Sequence, residues 1–453
     1  MLQRTVKILP FNPVTDELTL APLLRMITIV LDDYFYCAME QVSQSKVKTA
    51  IILAPDENGG LPIFGIPSVR RLVLLALQVG VHTIHVIGHV GFIRPILFDL
   101  LPSEAFHPVD DPERLDKVVN GIALPAREGV LVSKANHVID KYSLTRLFEM
   151  AATQDIYSLG TKERGKRDGI YVAPPADLAP LLKILWSPSS CGPNILDKAH
   201  QVQGASGLPY AIERGTDQTE ISEAKLVAAL PYQTEEKDGF LARHLDRRVS
   251  RFISKRLAHT PVAPNQVTLA GVTIGLTGAF FLSRAGYWPQ LIGSFLFLSF
   301  AVMDGVDGEV SRLRLLDSQF GYYLDMITDN VVNVAVFLGI AFGLYKDTGD
   351  GVYLKLLSFL LGGFGLCAIS VYYNILRRSR DELKQSSRIT RFMVLLTNSD
   401  FAYVVVASAL IHRLNWFLVG TTVGTYFFAA TLWVIGLQEK RRGSNRDPNS
   451  DIR

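Results

Sequence analysis

Residues 297–312 read Phe-Leu-Ser-Phe-Ala-Val-Met-Asp-Gly-Val-Asp-Gly-Glu-Val-Ser-Arg, and the next apolar run carries Asp325 and Asp329. Carboxylates inside long apolar segments decide what this chain can be. An ionised Asp at the centre of a bilayer-spanning helix costs about 2.5–3.5 kcal/mol on insertion scales. Four of them facing lipid would cost on the order of 10 kcal/mol, comparable to the whole stability of a domain. Asp304, Asp307, Asp325 and Asp329 must therefore face an interior cavity. The first two are three residues apart and the last two four apart, so each pair lies on one helix face. A short turn near Ser318 joins the two helices, and their acidic faces can converge. Converging carboxylates repel one another unless a cation sits among them, and a hard divalent cation takes oxygen ligands. An ion-pair network with Arg312 and Arg314 is a competing reading, but two arginines are too few for these acids and Glu309 together. A proton or cation pathway is another.

Six hydrophobic segments follow Gln266, at about 266–284, 288–310, 318–344, 351–376, 392–412 and 415–437. Each is near the ~20 residues a spanning helix needs. Lys and Arg cluster before the first segment, at Arg312 and Arg314, from Arg377 to Arg391, and at Lys440 to Arg442. With six spans these clusters share one side, so both termini are expected in the cytoplasm and the protein in the cell (inner) membrane. Composition agrees: 48% of residues are hydrophobic and only 20% charged, where a soluble protein carries about a quarter. Mean hydropathy is +0.22. A purely soluble enzyme, a disordered chain and a disulfide scaffold are excluded. A net charge of +3 does not call for nucleic acid, and Cys37, Cys191 and Cys367 contain no close pair. The apolar run from Leu20 to Leu31 is interrupted by Arg25 and does not read as a signal peptide.

The chain before about residue 236 is different. Thr49–Ala54 reads as a buried strand, Val69–Val79 as a helix, and Thr83–Gly88 and Gly129–Val132 as further strands. That order implies βαβ units and a mostly parallel sheet. Between the two halves, residues 237–260 place Phe240, Leu241, Leu245, Val249, Ile253 and Leu257 at helical spacing, opposite Arg243, Arg247, Arg248, Arg251, Lys255 and Arg256. A basic amphipathic helix there is expected to lie in the headgroup layer. The expected organisation is a cytoplasmic α/β domain at 1–236, this interfacial helix at 237–260, an all-α membrane domain of six transmembrane helices at 261–440, and a polar tail at 441–453.

The run Asp304-x-x-Asp307-Gly308-x-x-Ser311-Arg312, then eight residues, Gly321, three residues, Asp325, three residues, Asp329 resembles the signature of the CDP-alcohol phosphotransferases. Only Ser311 departs, standing where that family has Ala. Pro264-Asn265 and Thr268, opening the first span, are similar to the family too. The resemblance implies that Asp304, Asp307, Asp325 and Asp329 bind metal, two Mg²⁺ (or Mn²⁺) ions. It implies that Asp329 is the catalytic base, drawing the proton from the acceptor hydroxyl. Gly308 and Gly321 admit close approach of a nucleotide or helix, Arg312 offers a charge-assisted phosphate contact, and Ser311 and Ser318 offer hydroxyls. The implied partners are a CDP-alcohol donor, a hydroxyl acceptor, the lipid bilayer and a second copy of the chain. Arg377, Arg378 and Arg391 suit a phosphorylated polyol acceptor, and equally the positive-inside rule.

The N-terminal half resembles, more weakly, a sugar-phosphate nucleotidyltransferase, through Phe64-Gly65-Ile66-Pro67, Val79–Ile84 and Gly129–His137. The fused order is similar to bifunctional inositol-1-phosphate cytidylyltransferase/di-inositol-phosphate phosphate synthases. Where that family cradles a triphosphate, however, this chain has Pro55-Asp56-Glu57-Asn58-Gly59-Gly60, and Asn136 stands at the metal-binding Asp position. The expectation is a catalytically inactive nucleotidyltransferase-like domain. The alternatives are a bifunctional enzyme, with a weak nucleotide site at Asp140 or Asp217, and a cation transporter with a soluble regulatory domain. His85 and His137 read as core or surface histidines.

Overall fold

The computed structural model describes residues 47–124, 128–151, 154–160, 169–186, 195–214, 217–233, 245–371 and 401–444. The Leu20–Leu31 run, Phe240, Leu241, Arg243, the basic residues from Arg377 to Arg391 and the polar tail beyond 444 lie outside the described residues.

Strand β1 (Val47–Ala54) is buried at every position but Lys48. That is why it reads as a continuous apolar run: it is a central strand covered on both faces. Two short ribbons pair antiparallel, β2 (Pro62–Ile63) with β3 (Ile66–Pro67) and β7 (His137–Val138) with β11 (Tyr210–Ala211). The main sheet contains β1, β4 (Thr83–Gly88), β5 (Phe106–Pro108), β6 (Gly129–Lys134), β8 (Tyr157–Leu159), β9 (Ile170–Ala173) and β10 (His200–Val202), in the order β10-β8-β9-β6-β1-β4-β5. Its centre is parallel as expected, β1 lying between β4 and β6. Strand β9 runs antiparallel to both of its neighbours, so the sheet is mixed.

Helices α1 (Ser68–Gln78), α2 (Val90–Leu97) and α4 (Lys141–Met150) cover one face of this sheet, and α3 (Leu115–Gly121) and α5 (Leu178–Trp186) the other. With α6 (Gln218–Ala229) the N-terminal part is a layered α/β fold. A further apolar cluster gathers Phe64, Val138, Leu226 and Leu230, and it also takes in Ala258 and Leu313 from the helical half.

That half comprises α7 (Arg247–Leu257), α8 (Pro264–Leu282), α9 (Tyr287–Arg314), α10 (Gln319–Thr348), α11 (Val352–Val371), α12 (Phe401–Leu410) and α13 (Leu414–Ser444). Among the described residues, four helices are long and apolar enough to cross a membrane: α8, α9, α10 and Leu414–Gln438 of α13. Val352–Cys367 and Phe401–Leu410 are shorter apolar helices at the fourth and fifth expected spans. Large apolar side chains such as Leu269, Trp288, Trp416 and Phe427 point outward, as lipid-facing residues do. Helices α8 and α9 meet through glycine. A β-carbon on Gly278 would lie 2.9 Å from the Gly293 carbonyl oxygen, and one on Gly293 would lie 2.6 Å from that of Gly278. This close approach brings the acidic face of α9 against its neighbours.

Helix α7 buries its two serines and leaves part of its apolar face exposed. Ser250 and Ser254 are buried, while Leu245, Val249 and Phe252 are exposed. The helix packs on α9, where Glu309 takes the two serines as partners and Ile253 and Leu257 pack beside Val267, Val306 and Val310.

Candidate active site

Helix α9 ends at Leu315, whose φ of 53° puts it in the left-handed region, and its amide closes the last turn onto the Arg312 carbonyl. Three residues later Ser318 caps α10, its Oγ accepting from the Gly321 amide at 3.0 Å. This tight link sets the last turns of α9 beside the first turns of α10.

Three of the four aspartates come together there. Carboxylate oxygens of Asp304, Asp325 and Asp329 lie within 4.8 Å of one another, all three residues half-buried. Among the described residues, Asp325 Oδ1 is buried without a hydrogen-bond partner. An all-oxygen donor set with an orphaned carboxylate oxygen fits a hard divalent cation. Asp307 is 5% exposed and is not one of that trio. Its carboxylate accepts from the Thr268 hydroxyl of α8.

The cations near the site divide their attention. Arg312 attracts Asp325 and lies against Gly308, where a β-carbon would meet its Nη1 at 3.2 Å. Arg314 instead donates to the carbonyls of Thr260 and Val262 at 3.1 and 2.8 Å. Glu309, 1% exposed, accepts from Ser250 at 2.8 Å and Ser254 at 2.7 Å and pairs with Arg247 at 3.1 Å. A shared network of both arginines with the aspartates is therefore not what forms. At Gly321 a β-carbon would lie 3.0 Å from both Asn265 Oδ1 and Ser318 Oγ. Ser311 Oγ donates to Asp317 at 2.7 Å. Its proton is thus engaged, whereas Ser318 Oγ serves as acceptor for the Gly321 amide.

Sequence reasoning missed the Glu309 latch. The available signal was Ser250 and Ser254, one turn apart in a helix otherwise apolar or basic.

In the α/β domain, Asn136 Nδ2 donates to the Ile212 carbonyl at 2.9 Å, tying β7 to the chain after β11. His137 is 1% exposed, and burial lowers its pKa to about 3. Asp140 caps α4, accepting from the Ser143 amide at 3.1 Å, and burial raises its pKa above the usual carboxylate range. The Asp56–Gly60 loop folds on itself: Asp56 accepts from the Asn58 amide at 2.9 Å, and Glu57 pairs with Arg214 at 3.1 Å. A carboxylate thus occupies an amide that a phosphate-cradling loop would present.

Three carboxylates thus converge between two helices long and apolar enough to cross a membrane. Residues 261–435, most of the helical half, match the family model described as CDP-alcohol phosphatidyltransferase, a family that is generally divalent-metal dependent. A stretch of 114 residues is 35% identical to a "Bifunctional IPC transferase and DIPP synthase" of Thermococcus kodakarensis, covering 24% of each chain. A protein of the same description in Aquifex aeolicus is 34% identical over 107 residues, again 24% of each. The chain therefore matches about a quarter of the length of these relatives. The "Phosphatidylinositol phosphate synthase" of Mycobacterium bovis is 31% identical over 101 residues, 22% of this chain and 46% of that one. The crystal structure of Mycobacterium tuberculosis phosphatidylinositol phosphate synthase with CDP-DAG bound aligns with a TM-score of 0.28 at 19% identity, over 46% of this chain and 98% of that one.

Proposed function

We propose that this protein is an integral membrane CDP-alcohol phosphotransferase, moving a substituted phosphate from a CDP-alcohol to an acceptor hydroxyl with release of CMP. The observation that carries the reading is the convergence of Asp304, Asp325 and Asp329 from consecutive helices within the family-matched segment. These three, with Asp307 held alongside by Thr268, would hold two Mg²⁺ or Mn²⁺ ions. Bound there, the ions supply Lewis-acid stabilisation of charge on the transferring phosphate. Arg312 and the Ser318 hydroxyl contact the donor's phosphates, with Gly308 and Gly321 leaving room for the nucleotide and Ser311 supporting the turn through Asp317. Asp329 accepts the proton of the acceptor hydroxyl. The freed oxygen attacks the β-phosphorus, the bond from that phosphorus to the bridging oxygen breaks, and CMP leaves with the electron pair.

The chain would cross the cell (inner) membrane six times with both termini cytoplasmic and work as a homodimer, its acceptor a polyol phosphate. The α/β domain at 1–236 would be catalytically inactive. The engaged Asn136 amide and the self-capped Asp56 loop support that over a bifunctional enzyme, since Asp140 is spent on capping α4. A cation pathway would spread acids through the bundle depth, whereas these gather in one cluster within about three helical turns of the α9–α10 link.

The test is a CMP-release screen of the full chain against CDP-alcohols paired with polyol phosphates, in Mg²⁺ or Mn²⁺. Release that stops in excess EDTA is expected, and undiminished release there would overturn the metal site. Pyrophosphate release from CTP and a sugar phosphate would restore the bifunctional reading.

A further inference from the structure

The link between the two site helices is gripped from its far side by the α/β domain. Arg71 on α1 is 3% exposed, and its Nη1 donates to the Leu313 carbonyl. That carbonyl belongs to the last turn of α9, where no further helical amide is available to it. The Leu313 side chain, 1% exposed, is embedded in the apolar cluster of Phe64, Val138, Leu226 and Leu230. Leu315 holds a left-handed backbone that a leucine adopts only when its surroundings impose it. Its side chain packs on the main core of the α/β domain.

The grip is electrostatically consistent. Burial lowers the Arg71 pKa to about 10, with Asp140 and Glu223 opposing the fall, so the guanidinium is charged at neutral pH. Glu223 also accepts from the Phe64 amide at 3.0 Å and pairs with His259 at 3.2 Å, fastening the turn between α7 and α8 to the same joint. Arg71 and Arg312 line one small cavity, together with Asp140, Lys141 and Asp317. Arg312 is the residue immediately before Leu313, and Ser318 lies five residues beyond it.

We infer that Arg71 is a positioning residue for the transfer site. Through the Leu313 carbonyl it fixes the C-terminal end of α9, and with it Arg312 and Ser318, so that the α/β domain serves as a structural part of the membrane site whether or not it has chemistry of its own. This inference rests on the transferase reading above.

The test uses CMP, the product common to every donor, as probe. Its affinity for the purified full chain is measured by calorimetry in Mg²⁺. Arg71→Met keeps an aliphatic stem and removes the donor. It should weaken CMP by about tenfold, the equivalent of one lost charged hydrogen bond. Arg71→Lys, which retains charge and a donor, should recover most of that loss, a rescue that a general packing role would not give. Leu315→Gly removes the anchoring side chain and the left-handed penalty together, so it tests the same grip in a variant that should fold readily, and it should weaken CMP in the same direction. CMP affinity unchanged in both Arg71→Met and Leu315→Gly overturns the positioning role alone. No CMP binding by the wild-type chain overturns the transferase reading and this inference with it.

Discussion

Arg247 on α7 lies 3.1 Å from the carboxylate of Glu309 on α9, which is 1% exposed and also receives the hydroxyls of Ser250 and Ser254. A buried carboxylate with one cation and two hydroxyl donors is satisfied. Removing the cation leaves it charged in a poor solvent. Arg247→Met is expected to destabilise the full chain by about 3 kcal/mol. Ser250→Ala and Ser254→Ala should each cost about 1–2 kcal/mol. Thermal unfolding of the detergent-solubilised protein checks the ranking, and an Arg247 variant as stable as wild type would contradict it.

Thr268 acts on the site from a third helix. Its hydroxyl donates to Asp307 and fixes the orientation of a carboxylate that stands beside the converging trio. Groups that orient metal-binding carboxylates typically change metal affinity by about 10–100-fold. Thr268→Val should therefore raise the Mg²⁺ concentration for half-maximal CMP release by about tenfold while leaving the saturated rate within a few-fold. An unchanged midpoint would show that Asp307 needs no such support.

Asp325 and Asp329 share a helix face and a cluster, yet different losses are expected from them. Asp325 has the orphaned oxygen and the attraction of Arg312. Asp325→Asn should weaken metal and CMP binding together. Asp329→Asn keeps the size and one ligating oxygen but cannot take a proton at neutral pH. It should retain CMP affinity and slow transfer by about 10²–10⁴-fold. Single-turnover CMP release beside calorimetric affinity separates the two, and near wild-type transfer by Asp329→Asn would assign the base elsewhere.

Much of this arrangement is legible in the sequence because it is local. The buried run at Thr49–Ala54, the helix at Val69–Val79 and the strand Thr83–Gly88 are readable from apolar runs and turn residues to within a residue or two of Val47–Ala54, Ser68–Gln78 and Thr83–Gly88, and the acid spacing on α9 and α10 follows from helical period. What periodicity cannot read is which distant element a face meets. Asp304 joins Asp325 and Asp329 while Asp307 turns to Thr268, although both lie on one face of α9. The serines of α7 face an acid more than fifty residues away, and Arg71 finds a carbonyl 242 residues along the chain. Strand β9, only four residues long, carries nothing in its sequence that fixes its antiparallel sense.

His137 makes the stability of the α/β domain depend on pH in a direction that can be worked out. Its ring is 1% exposed, the Lys134 amide faces Nδ1 at 3.4 Å, and burial together with the charge of Lys134 lowers its pKa to about 3 from an ordinary 6.5. The unfolded chain binds a proton at this ring between pH 6.5 and 3 and the folded chain does not. Stability from the neutral ring is thus fully present above pH 6.5 and is lost as pH falls towards 3, by about 4–5 kcal/mol over the whole window. Asp140, with its pKa raised by burial, acts in the opposite sense. His85 and His107, paired at 3.1 Å and both lowered by burial, add to the same slope, so the wild-type curve alone does not isolate His137. The comparison with His137→Gln does, since glutamine fills a similar volume and does not titrate. The unfolding midpoint of the full chain should fall more steeply from pH 7 to pH 4.5 in the wild type than in the variant. Parallel curves would mean that His137 is protonated in the folded protein or that its burial is relieved before it titrates.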